Sequence, residues 1–365
     1  MEKIDIEKRF YRPICSSDEI ERIFKIESAS DYLLKLRADT IVDNMRLFRV
    51  YRNKAIEEGE NWCLEDSFNK SHYENFRRSL SPDLTMECDK ITFGDIFSTE
   101  TNGLIFPTDY GIITTISESI KYFLFFMNLG LLDFSKKIPE YVRFNSMRIA
   151  IRIMLQTEAL DFKMDPRGII PPSIEKRIND LIPFQLQFLA GHEYAHFLLG
   201  HLNTQNLTEK FLLKSAFKSQ TDYKKIGVYN ISQKHEFDAD ISSINIPNYI
   251  EKERISVYES ALFWFAALSI YEAVEDYLFP PNGHQSHPSA ISRYLNLLDK
   301  IPKYKGFNKK YYEEDIPSVI LKIRDEFIDN VGYHCDDYEM YGSTYLDKPN
   351  TEWRGRKLID RVDYY

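Results

Sequence analysis

A mainly α-helical protein with one small β-sheet, an α+β class, is what this sequence predicts, and three observations predict it. Apolar residues recur at helical spacing over most of the chain. β-Branched residues, Gly and Pro concentrate in one short stretch, GLIFPTDYGIITTI. The third observation is bulk: 365 residues, 43% of them hydrophobic, with 24 Tyr and 25 Phe, supply a large core and argue against disorder.

Residues 1–90 read as a polar, irregular helical region. Ser17–Ile26 and Asp31–Arg52 carry apolar residues at helical spacing. Ser16-Ser-Asp-Glu19 has the form of a capping box, in which a hydroxyl and a carboxylate three residues apart satisfy each other's backbone N–H. Residues 91–116 suggest one or two short strands with a turn at Pro107–Gly111. Ser117–Leu132 reads as an apolar helix and Arg143–Leu155 as a second. A short extended segment at Ala159–Met164 and a turn at Asp165–Gly168 follow. Pro171-Pro-Ser-Ile-Glu175 opens another helix, with Pro in its first turn and an acid near its start. Residues 203–230 are polar and read as a loop or lid. Helices resume at His235–Ile244, at Arg254–Leu278 (closed by Pro280-Pro281-Asn-Gly283), at His287–Ile301 and at Ile316–Ile328, before a Tyr- and charge-rich tail. The chain thus divides into a helical N-terminal region (1–90), a central domain (91–301, with its core at 159–301) and a C-terminal helix and tail (302–365).

A net charge of −9 and a pI near 5.5 give no global reason to bind nucleic acid or anionic lipid. Cys15, Cys63, Cys88 and Cys335 are far apart and form no CxxC pair, which suits reduced thiols better than a disulfide framework. The first residues, MEKIDIEKRFYRP, contain no apolar h-region. The most apolar runs, Tyr122–Leu132 and Ala261–Ile270, fall short of the roughly 18–20 residues of a membrane helix and read as buried helices. A cytoplasmic protein without a transmembrane segment is the resulting expectation.

The chemistry concentrates in His192-Glu-Tyr-Ala-His196. Residues four apart on a helix differ by only ~40° around its axis, so both imidazoles project from one face and can share a zinc ion. Glu193 lies ~60° from His196, near enough to reach the attacking water without being a ligand, as a general base must. Apolar neighbours, Phe188-Leu-Ala190 and Phe197-Leu-Leu199, bury this helix. Two histidines and a carboxylate buried without metal or partner cost several kcal/mol.

A metzincin would carry its third histidine six residues after the second, where this chain has Leu202. His201 lies ~180° around a regular helix from His192, which suits a structural histidine or one that supports a ligand. The better third ligand is Glu236, 40 residues after His196 in His235-Glu-Phe-Asp-Ala-Asp240. Asp240 shares its helix face and is placed to take a hydrogen bond from the far nitrogen of a zinc-bound imidazole. His235 and Asp238 are rivals for the ligand role, and a solvated acidic helix start is the plainer alternative.

Three segments in this order resemble the gluzincin peptidases of the CaaX prenyl protease and HtpX-like family. HEYAHFLLGH resembles the family's HExxH helix, including the histidine five residues after the second ligand. HEFDAD resembles its ExxxD helix, and His287-Pro-Ser-Ala-Ile-Ser-Arg293 its downstream His-Pro segment. The resemblance covers about residues 174–300 and implies a helical zincin-type peptidase domain across 91–301. Its small sheet would present the substrate backbone along an edge strand. That strand is expected shortly before the HExxH helix, where Ala159–Ile170 is nearest; Asn102–Pro107 lies much further upstream. The resemblance further implies zinc on His192, His196 and Glu236, Glu193 as the base, Asp240 in support, and His287 and Arg293 lining the site. His287 or His284 would steady the oxyanion, and a plain helix start at Pro288 is the alternative for that segment. A weaker resemblance is to phage-exclusion peptidases of the Lit-like kind.

The expected activity is zinc-dependent hydrolysis of a protein or peptide, with Glu193 taking a proton from water and passing it to the leaving amine. GxSxG and phosphate-binding Gly-rich loops are absent. Two alternatives stay open. One is a latent protease of a defence or toxin system, switched on by a partner, with the N-terminal region and 203–230 as regulators. The other is a non-catalytic zinc-binding regulatory protein, although three ligands beside a glutamate suit an open catalytic site better than a closed structural one.

Overall fold

The computed structural model describes residues 3–98, 103–134, 137–202, 207–211, 225–229, 231–280 and 287–355. The N-terminal region is built from α1 (Lys3–Tyr11), α2 (Ser17–Phe24), α3 (Ala29–Asp43), α4 (Met45–Glu58), α5 (Ser71–Arg78) and α6 (Pro82–Cys88). The expected capping box starts α2: Ser16 Oγ accepts from the Glu19 N–H at 3.3 Å, and Glu19 Oε2 accepts from the Ser16 N–H at 2.8 Å. The helical pattern over Asp31–Arg52 breaks at Asn44, whose backbone leaves the helical region (φ −118°, ψ 105°). Its side chain accepts from the Leu47 N–H and caps α4. Apolar periodicity does not register such a stop, because it is set by a local side-chain hydrogen bond.

β1 (Ile91–Phe93), β2 (Gly103–Thr108) and β3 (Gly111–Ile116) form a sheet of order β1-β3-β2. β1 runs parallel to β3 and β2 antiparallel to it, with Gly103 opposite Ile116 and Thr108 opposite Gly111. The hairpin turn falls at Asp109–Tyr110, inside the expected Pro107–Gly111 stretch. β2 is an edge of this sheet.

The two apolar runs become α7 (Ile120–Leu131) and part of α11 (Glu251–Leu278), and both are buried; Phe123 meets Trp264 edge-on at 5.7 Å. Between them lie α8 (Glu140–Met154), α9 (Pro172–Leu198) and α10 (Gln233–Asn245). Ala159–Met164, expected to be extended, forms no strand. Only an isolated bridge pairs Glu158 with Gly342, and the segment turns at 162–164. Its backbone instead wraps around the Arg167 guanidinium, which takes the Ala159 carbonyl. Within 203–230, read as loop or lid, β4 (Leu207–Phe211) and β5 (Lys225–Tyr229) pair antiparallel, and the rest lies outside the described residues. β5 packs beside β2. The expected turn at Pro281–Gly283 and the end of the tail also lie outside the described residues.

α12 (Ala290–Lys300), α13 (Ile316–Tyr333), entered through a π-helical turn at Tyr311–Asp315, and α14 (Asp336–Glu339) complete the chain. One hydrophobic cluster runs from Ile14 to Trp353 and draws on all three segments delimited in the sequence. α9 lies within it, packed by α5, α7, α10 and α11; Tyr194 stacks on Phe76 at 5.5 Å. Among the described residues no helix is long and apolar enough to cross a membrane.

Candidate metal centre

Helix α9 presents His192, Glu193 and His196, all buried. The two imidazoles meet as the four-residue spacing requires, with Nε2 atoms 3.0 Å apart. Helix α10, capped by Ser232, brings Glu236 against them: Oε2 lies 3.4 Å from His192 Nε2, and Oε1 3.6 Å from His196 Nε2. Among the described residues this trio is the group whose ligand atoms converge as a metal requires. A tetrahedral ion bound at about 2.0–2.2 Å keeps its ligand atoms roughly 3.3–3.5 Å apart. The two ring nitrogens stand 3.0 Å apart, one Glu236 oxygen lies 3.4 Å from His192 and the other 3.6 Å from His196, each close to that value. Glu236 Oε2 is moreover buried without a hydrogen bond of good geometry, an acceptor facing the His192 ring nitrogen. The residues present therefore fit a zinc ion.

The far side of each imidazole is also held. Asp240 Oδ1 lies 2.9 Å from His192 Nδ1, which puts the proton on Nδ1 and leaves Nε2 as the ligand lone pair. Arg293 on α12 clamps Asp240 with two hydrogen bonds, Nε to Oδ2 at 2.8 Å and Nη2 to Oδ1 at 2.5 Å. Its Nη1 sits 3.4 Å from Glu236 Oε2, and its guanidinium lies 4.6 Å from the Phe265 ring centre. One arginine thus fixes both acids of α10.

His196 is held differently. α9 ends at Leu198, and Gly200 takes a left-handed conformation (φ +70°) that a side chain would strain. The Gly200 N–H bonds to the Phe197 carbonyl at 3.0 Å and the His201 N–H to the His196 carbonyl at 2.9 Å, a Schellman ending. The reversal folds His201 back until its Nδ1 is 3.1 Å from His196 Nδ1. The ~180° offset holds only for a regular helix, and the helix has ended before His201. His201 in turn stacks on His235, ring centres 4.0 Å apart. Of the two rivals for the third ligand position, His235 is engaged in this stack, and neither it nor Asp238 joins the converging group.

His287 precedes α12 and places Nδ1 3.2 Å from Glu236 Oε1, without joining the three convergent ligands. Ser289, not Pro288, caps the helix, and the Glu272 carboxylate accepts from the Ala290 N–H. His284 lies outside the described residues.

The electrostatics suit a cation. Burial pulls His192 down, but its hydrogen bonds to Asp240 and Glu236 outweigh it and raise the imidazole to about 9, so without metal it carries a second proton, on Nε2, that a bound ion would displace. Burial pushes Glu236 up, yet His192, His287 and Arg293 together hold it far below the usual carboxylate range. Burial and the charge on His192 keep His196 well below its ordinary value. Burial and His235 likewise lower His201, leaving it neutral and able to accept the His196 Nδ1 proton. Elsewhere, burial pushes the Cys88 and Cys63 thiols up to about 11, which disfavours thiolate chemistry.

The strand beside the site is β2, not the Ala159–Ile170 segment: Gly103 abuts Glu193 directly. An edge strand this far upstream of the HExxH helix is brought to it by tertiary folding that sequence proximity does not reveal. No protein-family model, no curated protein and no solved structure matches this chain.

Proposed function

We propose that the chain is a zinc-dependent endopeptidase acting on a protein or peptide. The convergence of buried His192, His196 and Glu236, with Glu193 next to His192 in sequence, is the observation that supports it most. Bound zinc would supply a Lewis acid and lower the pKa of water. The chain's own residues do the rest. Glu193 accepts the proton of the attacking water and returns it to the leaving amine. Asp240 fixes the His192 tautomer, and Arg293 holds Asp240 and Glu236 in place. His287, partly exposed beside Glu236, is available to a developing oxyanion. The backbone of β2 offers hydrogen bonds to an extended substrate. The four cysteines are free, which suits the reducing cytoplasm.

Glu193→Gln tests this reading. Zinc content should stay near that of the wild type, while peptide hydrolysis falls about 10²–10⁴-fold. Full activity in that variant would remove Glu193 from the base role. Zinc content unchanged by Glu236→Ala and His196→Ala would remove the metal assignment. A second reading, a latent protease opened by an activating partner, is favoured by the position of β5 beside β2, where a substrate strand would lie. Wild-type protein that binds zinc but cleaves only after residues 207–229 are replaced by a short linker would support it.

A further inference from the structure

We infer that Gly103 positions Glu193: the side chain it lacks is the space that holds the carboxylate of the proposed base. The inference rests on the peptidase reading for its catalytic meaning, but its physical content stands on the contact alone. Gly103 is the first residue of β2 and pairs with Ile116 in a regular antiparallel ladder. Its φ lies outside the left-handed region, so the backbone does not require glycine there. Glycine also weakens a strand, having no side chain to pack and more freedom to lose on folding. Some other demand therefore has to account for it.

That demand is Glu193. A Cβ at position 103 would lie 2.4 Å from Glu193 Cγ, 2.6 Å from Oε1 and 2.7 Å from Cδ. Carbon atoms not bonded to one another approach to about 3.5–4.0 Å. The three nearest atoms all belong to Glu193, so its side chain is the first thing an added Cβ would meet. Glu193 is only 4% exposed, so it would yield by rotating within the buried site and not by moving out into solvent. The cheapest response to alanine is rotation of the Glu193 side chain, which leaves sheet and metal ligands standing and moves the base. Misplacing a catalytic group by about 1 Å costs on the order of 10²-fold in rate.

A double-mutant cycle decides this. Urea midpoints and zinc content are measured for wild type, Gly103→Ala, Glu193→Ala and the double variant. The expected result is a change of sign. Gly103→Ala lowers the midpoint when Glu193 is present and raises it in the Glu193→Ala background, where alanine simply improves the strand. Failure of Gly103→Ala to fold, with a folded double variant, supports the inference equally. The same shift in both backgrounds, or failure to fold in both, overturns it, because glycine would then serve the strand itself. On a cleavable peptide, Gly103→Ala should lose about 10²-fold in kcat with KM and zinc unchanged; retained kcat also overturns the inference. If neither the zinc-loaded wild type nor the protein with residues 207–229 replaced by a linker cleaves anything, the peptidase proposal fails, and the stability cycle still reads the contact.

Discussion

Two buried charge clusters differ in what they leave unpaired. Around Arg167, all five N–H donors find acceptors. Nε binds Glu158 at 2.7 Å, Nη1 binds the carboxylate of Asp165 at 2.9 Å as well as its carbonyl, and Nη2 binds the Ala159 carbonyl and Asp161 at 2.5 and 2.9 Å. The other oxygen of Glu158 takes Arg152 at 2.9 Å, and both oxygens face the Thr344 N–H. Arg152 reaches the Asp337 and Met340 carbonyls. This network closes on itself and ties residues 337–344 to the core. Around Arg293 the pairing is looser: Glu236 Oε2 meets Arg293 Nη1 and His192 Nε2 only at 3.4 Å, without a hydrogen bond of good geometry, and two imidazole nitrogens face each other at 3.0 Å. A saturated cluster holds a fold together, whereas loosely paired acceptors aimed at one point leave room for a ligand.

Removing Glu158 should have the largest effect. Glu158→Ala leaves two buried guanidinium groups short of their carboxylate and should cost about 3–5 kcal/mol in urea unfolding. Zinc at about 100 times its Kd should then stabilise this variant and the wild type by the same ~2.7 kcal/mol, since the two clusters share no partner. A loss below about 1 kcal/mol would mean that the Arg167 network holds little. Unequal zinc increments would mean that the clusters are coupled and the contrast between them is false.

Asp240 comes next, because it belongs to both kinds of pairing. It satisfies Arg293 and also orients His192. Asp240→Asn keeps the shape and removes the charge. Chelator competition should show zinc affinity falling about 10–100-fold, or roughly 1.4–2.7 kcal/mol. Unchanged affinity would make Asp240 a structural partner of Arg293 alone.

The contrast also explains what the sequence made legible. HExxH and ExxxD encode their geometry locally, through the 3.6-residue helical period, so His192, Glu193, His196, Glu236 and Asp240 could be placed on helix faces from spacing alone. The helices themselves, the Ser16 capping box and the hairpin turn were legible for the same reason. The Asn44 break, the irregular 159–170 segment and the approach of β2 to Glu193 were not. Each depends on a single hydrogen bond or on contacts between residues distant in sequence, and neither leaves a period. The role of His201 was hidden by an assumption: a regular helix puts it opposite His192, and the left-handed turn at Gly200 cancels that geometry. The glycine just before His201 was the signal for a helix end, and hence for a histidine folded back on its own helix.

That fold-back leads to the smallest effect. His201 supports His196 as Asp240 supports His192, but as a neutral acceptor, and hydrogen bonds to neutral groups are about half as strong as those to charged ones. It is also only partly buried, so water can take its place. His201→Phe keeps a ring to stack on His235 and removes the acceptor. Zinc affinity should fall by less than about tenfold, below the loss in Asp240→Asn, with little change in the urea midpoint of the metal-free protein. A loss exceeding that of Asp240→Asn would reverse the ranking. It would place the main control of the metal site at the Schellman turn after α9, where the sequence signal is one glycine and one histidine.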